Sequence, residues 1–147
     1  MNYQRAKSKN LTKFDVLTIA AMIEREVRRP DERRLVAGVM YNRLKQGIRL
    51  DIDATVQFAI GSWKAELTAS DLAIDSPYNT RKFPGLPPGP ICNPGLASIQ
   101  AAANPKPSSY IFYVARDDGS GGHYFATTPQ EFEVAVARAA KNRTGTP

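Results

Sequence analysis

The sequence predicts an α+β domain: helices packed on one another with a small antiparallel β-hairpin. Three observations lead there. Apolar residues recur at helical spacing from Leu17 to Val27 and again from Leu35 to Leu44. The run Ser109 to Ala115 is β-branched and aromatic, the composition of a strand. A turn at 117–122 separates it from a return strand, His123 to Thr127. With 147 residues, 42% of them hydrophobic, the chain can bury one sizeable core.

The elements follow in order. Residues 1–14 read as a polar, basic tail, near whose end Thr12 and Asp15 mark a helix start. That helix runs to about Arg28, where Pro30 closes it. Asp31 is expected to cap a second helix with the apolar stripe Leu35, Val36, Val39, Met40 and Leu44, stopped by Gly47. Asp53 is expected to cap a short helix through Ile60, and Thr68 with Asp71 a further turn. Six prolines and three glycines then fill residues 75–95. A loop this long inside a compact domain reads as an ordered wall of a binding site. Asn93-Pro94 opens a helix through about Ala102. Thr128, Pro129 and Glu131 start the last one, which ends near Lys141. The domain therefore spans 15–141, and 142–147 form a second tail.

Composition narrows the function classes. Of 20 basic residues, Arg5, Lys7, Lys9 and Lys13 precede the first acidic one, and Arg138, Lys141 and Arg143 follow the last. Without those seven, 13 basic and 14 acidic residues remain, so the body is about neutral. A nucleic-acid binder wants a basic face on the folded body, and none is expected here. The basic ends suit a nearby anionic polymer or membrane surface. No run of about 18 apolar residues is present, so no membrane span is expected, nor a secretory signal at the polar start. Cys92 is alone, which excludes an internal disulfide, and is expected to be a small buried side chain.

The chemistry is found by elimination and by one helix. A catalytic triad or a metal site would have to be built on the single histidine, His123, and neither has the required spacing. No phosphate-cradling glycine loop occurs. What remains is carboxylate chemistry. In Leu17–Val27, Ile19, Met22, Ile23 and Glu26 share one helical face, with Glu24 on a neighbouring one. A carboxyl on an apolar stripe tends to hold its proton, as a general acid must. The competing reading is a solvated Glu paired to Arg25, Arg28 or Arg29.

Ala20-Ala21-Met22-Ile23-Glu24-Arg25-Glu26 resembles the "Ala-Ser-apolar-apolar-Glu-Lys/Arg-Glu" helix of the endolytic murein transglycosylase (YceG-like) family. The resemblance continues through Val39–Leu44, Gly47–Leu50, Asp53–Val56, Ser76–Thr80, Gly85–Ile91, Asn93–Gly95 and Gly122–Phe125. It covers roughly residues 15 to 140. It implies a lysozyme-like catalytic helix and cleavage of peptidoglycan strands between N-acetylmuramic acid and N-acetylglucosamine, closing a 1,6-anhydro ring without water. Glu26 corresponds to the catalytic acid/base. Asn42, Arg43, Asp53, Tyr78, Asn79, Thr80 and His123 are the groove residues it implies. For each of these a cap, a turn or a core hydrogen bond is the alternative. Ala21 stands where the family usually has serine, and Phe132 where it usually has histidine. Members usually begin with a membrane-spanning helix and a LysM-like domain, so the resemblance implies a place on the extracytoplasmic face of the cell membrane, with peptidoglycan synthases as partners. No metal or cofactor is implied. Relatives also carry the label aminodeoxychorismate lyase, but that chemistry needs pyridoxal phosphate on a lysine, and no lysine lies on the apolar stripes. A lysozyme-like hydrolase and a non-catalytic glycan-binding module are the other readings.

Overall fold

A computed structural model describes residues 2–145 and gives the order α1 (Gln4–Lys7), α2 (Lys13–Glu26), a 3-10 turn (Pro30–Glu32), α3 (Arg33–Gln46), α4 (Asp53–Ile60), α5 (Ala69–Leu72), α6 (Leu96–Ala103), β1 (Phe112–Ala115), β2 (His123–Ala126) and α7 (Pro129–Thr144). The α+β architecture is as expected: seven helices and one antiparallel hairpin among the described residues. Among the described residues no helix is long and apolar enough to cross a membrane.

Helix α2 is the centre of the molecule. Thr12 and Asp15 form a reciprocal capping box that satisfies its first N–H groups. Six consecutive residues, Thr18 to Ile23, are buried, so the middle of the helix is enclosed on every side. The sequence shows this only as one apolar stripe, because Ala20, Ala21 and Thr18 are small enough to be buried without looking strongly apolar. The alanine-rich face of α6 (Ala101, Ala102, Ala103) packs on α2, as do α3 and α4. The first residues also differ from the tail expected: α1 buries Ala6 completely, and the Tyr3 hydroxyl donates to the Leu11 carbonyl.

Three caps differ from expectation. Asp31 lies inside the 3-10 turn and accepts from Arg29, so α3 starts at Arg33 without a side-chain cap. Asp53 is the first residue of α4, where its charge suits the helix N-terminus, but its oxygen bonds Arg81. Gly95, not Asn93, caps α6. The carboxylate of Glu24 packs against Gly95 and accepts from the Ser98 hydroxyl, so this helix start is set by a partner from α2. Cys92 is half-buried and its thiol donates to the Ala21 carbonyl at 3.4 Å. The Thr68–Asp71 and Thr128–Glu131 capping boxes form as expected.

The hairpin is placed by α3. Arg34, Gly38 and Asn42 recur every four residues and therefore share one helical face. The chain leaving α6 lies along that face. Arg34 Nε donates to the Asn104 carbonyl (2.8 Å), the Lys106 N–H donates to the Arg34 carbonyl (2.9 Å), and Asn42 Nδ2 donates to the Ser108 and Tyr110 carbonyls (2.8 Å each). Arg43 Nε extends the rail to the Ile111 carbonyl (2.6 Å). The strands then pair Tyr113 with Phe125 and Ala115 with His123.

Gly38 is the tight point of this rail: a Cβ there would lie 2.4 Å from the Lys106 carbonyl oxygen. Backbone must move to relieve it. Gly38→Ala is therefore expected to destabilise the domain by about 2 kcal/mol, despite alanine's better helix propensity. A denaturant midpoint equal to or above wild type would show that the strap does not bear on α3.

Candidate functional site

Glu26 is the last residue of α2 and half-buried, at the point where the helix meets the hairpin. The Tyr113 hydroxyl donates to its Oε2 at 3.1 Å. Burial pushes the Glu26 carboxyl above its ordinary value, and the Asp53 charge adds to that. The Tyr113 hydrogen bond and the positive charge of Arg81 pull the other way without cancelling the rise. Tyr113 itself is pushed well above the usual phenol value by burial and by Glu26, so it stays a donor. The shift is in the direction expected of a carboxyl on an apolar stripe.

Two adjoining cavities meet at this residue. One, of about 390 Å³, is lined by Glu26, Arg43, Asp51, Asp53, Arg81 and the aromatic pair Phe112–Phe132. The other, of about 340 Å³, lies between Glu26, Arg28 and the glycine-rich turn of the hairpin. Glu26, Ala115 and His123 line both, so the groove runs past the carboxyl in two directions.

The structure separates the expected site residues into two groups. Glu26, Arg43, Asp53 and His123 line the groove. Asn42, Tyr78, Asn79 and Thr80 do not. Asn42 spends its amide on the rail and faces a different, larger cavity of about 470 Å³ with Lys9, Leu11 and Tyr41. Asn79 is buried; its Nδ2 donates to the Leu72 and Ile74 carbonyls, and its Oδ1 accepts from the Arg81 N–H. The Thr80 hydroxyl accepts from the Ile52 N–H and bonds Thr55, while its carbonyl accepts from the Asp51 N–H. These two residues thus hold Arg81, Asp51 and Asp53 where they line the groove. Tyr78 packs on Phe58, with ring centroids 4.7 Å apart. Glu24, the weaker candidate, is engaged with Ser98.

Sequence reasoning missed Tyr113, Arg81 and Asp51. Arg81 sits one residue past the Ser76–Thr80 motif. Tyr113 is visible in the sequence only as a strand aromatic, and its partner is 87 positions away. The three other carboxylates of the groove are ion-paired: Asp53 with Arg81 (2.5 Å), Asp51 with Arg49 (3.6 Å) and Arg43 (3.8 Å), and Asp117 with Arg143 (2.8 Å). Phe132 replaces the histidine usual in the family by stacking on Phe112, with centroids 4.8 Å apart, so that wall is apolar.

A family model described as the YceG-like family matches residues 1–138. The chain belongs to the YceG-like family. It is 42% identical to an endolytic murein transglycosylase of Bacillus subtilis over 113 residues, covering 77% of this chain and 31% of that protein. It is 37% identical to an endolytic murein transglycosylase of Streptococcus pneumoniae over 146 residues, covering 96% of this chain and 26% of that one. A crystal structure of a putative YceG-like protein from Listeria monocytogenes superposes with a TM-score of 0.81 at 39% identity, over 89% of this chain and 42% of the other. The chain thus spans less than a third of the length of these two transglycosylases.

The raised Glu26 carboxyl has a consequence for stability. The folded state holds this proton more tightly than the unfolded chain, whose value is near 4.5. Its contribution is fully present below that pH and is lost as pH rises through the folded value. Glu26→Gln, which never ionises, is expected to raise the Tm at pH 7 and to match wild type at pH 4. Tyr113→Phe removes a bond to the charged form and should raise the Glu26 value further, read by carbon NMR of the carboxyl. A Gln variant less stable than wild type at pH 7 would count against a strained carboxylate.

Proposed function

We propose that this domain cuts peptidoglycan glycan strands internally, between N-acetylmuramic acid and N-acetylglucosamine, and leaves 1,6-anhydromuramyl ends. The observation that carries the reading is Glu26, its carboxyl pushed upward by burial, on a groove that runs past it in two directions. A polymer can lie through such a groove with a bond presented in mid-strand. The related murein transglycosylases supply the polymer. The Phe112–Phe132 stack offers an apolar wall for a sugar face, and Arg43, Arg81 and Asp51 offer polar partners for hydroxyl, amide and carboxylate groups.

In this reading, protonated Glu26 donates to the glycosidic oxygen as its bond to C1 breaks. The muramyl C6 hydroxyl then attacks C1, and its proton passes to the Glu26 carboxylate. The acid is restored, and no atom enters from water. Hydrolysis would need a second carboxylate free to activate water, at a separation set by the stereochemistry. Asp51, Asp53 and Asp117 are each tied to arginine, so none is free for that task. An internal hydroxyl needs less help, because it is already in place. In this reading the domain acts on the extracytoplasmic face of the cell membrane, beside the synthases that extend the strands.

Mass spectrometry of purified strands digested by the domain tests this. Anhydromuramyl ends are expected from wild type, with Glu26→Gln slower by about a hundredfold or more. Reducing ends would replace the internal nucleophile with water, and binding without any cleavage would leave a glycan-binding module.

A further inference from the structure

One buried acid beside the groove has no part in the steps above. Glu32 ends the 3-10 turn after α2 and is only 5% exposed. Both of its oxygens are taken by one residue: Oε1 accepts the His123 backbone N–H at 2.9 Å, and Oε2 lies 2.8 Å from His123 Nδ1. Gly122 leaves room for this approach, since a Cβ there would stand 3.1 Å from Glu32 Oε1. A carboxylate only accepts, so the ring nitrogen it meets must carry the hydrogen. In the neutral imidazole that leaves Nε2 bare. The Tyr113 ring meets the imidazole edge-on at 5.3 Å and fixes its plane. Nε2 has no protein partner among the described residues and is not sealed off from solvent, while the side chain lines both cavities that meet at Glu26.

We propose that Glu32 is a positioning residue: it clamps His123 so that a bare Nε2 faces the groove beside Glu26 and accepts a hydroxyl hydrogen of the bound sugar. This rests on the glycan-groove reading above. It gives His123 one defined role in that groove, as an acceptor held in one tautomer, with Tyr113 and Glu32 both acting to fix it.

The chain contains a single histidine, so nitrogen NMR of labelled protein reads this ring without assignment. In the neutral limb of a pH titration, wild type is expected to carry hydrogen on Nδ1 and none on Nε2. In Glu32→Gln the amide presents a hydrogen to Nδ1, and the ring is expected to switch to the other tautomer. His123→Asn separates positioning from support, because its amide nitrogen reproduces the bond to Glu32 but nothing replaces Nε2. It should fold with a near-native Tm and cut strands at least tenfold more slowly. Hydrogen on Nε2 in wild type, or wild-type cleavage by a folded His123→Asn, overturns the proposal. If wild type cuts nothing, the cleavage reading fails by itself. The tautomer, and a shift of Nε2 on adding purified glycan strands, then still decide the role given to Glu32 and His123.

Discussion

The structure depends on keeping one carboxyl away from water. Glu26 ends a helix that is enclosed on all sides through its middle, and a helix C-terminus is the wrong end for a negative charge. Burial and dipole both favour the neutral acid. A neutral acid at the end of a buried helix is a proton donor held still, but it must also be able to lose the proton. Tyr113 supplies that second half, since its hydroxyl bonds the charged form without bringing a charge of its own. An arginine in that place would have held Glu26 permanently ionised.

The surrounding charges are arranged with the same effect. The larger of the two cavities at Glu26 holds two arginines and two aspartates besides that residue, which sounds strongly polar. Pairing Arg81 with Asp53 and Arg43 with Asp51 leaves little net field at the acid. The pairs also hold each aspartate against arginine, which bears on which nucleophile the groove can serve. Asp51 keeps one buried oxygen, Oδ1, without a hydrogen-bond donor, and it sits at φ 53°, a left-handed conformation that few side chains adopt. Such local cost is typical of positions held for a site rather than for the fold.

Much of the fold was legible because it is local. Capping boxes at Thr12, Thr68 and Thr128 and the hairpin of Ser109–Thr127 depend on residues a few positions apart. Glu26 was legible for the same reason, since helical spacing places it and Glu24 on different faces. The caps expected at Asn93 and Asp53 differ because each position is decided by a partner elsewhere, Glu24 and Arg81, while Asp31 is taken by its near neighbour Arg29. The groove residues show the limit most clearly. Asn42, Asn79 and Thr80 lie in motifs of the resemblance, yet their side chains hold backbone. A motif records what the fold requires as well as what the substrate meets. Tyr113, Glu32 and Arg81 carry no local signature, because what gives them meaning is a contact across the chain.

That division suggests how the site is tuned. Asn42 and Arg43 hold the chain leading into β1, so α3 sets where Tyr113 stands relative to Glu26. Asn79 and Thr80 set where Arg81, Asp51 and Asp53 stand on the facing wall. The acid itself belongs to α2, whose position is fixed by burial. Proton affinity at Glu26 is thus the sum of contributions from three separately anchored pieces of chain. A change in α3 or in the loop after α5 can move that affinity without touching the groove. Distances to a buried acid matter steeply where water does not screen them. In this domain the residues that look structural are therefore the ones that decide how firmly the acid holds its proton.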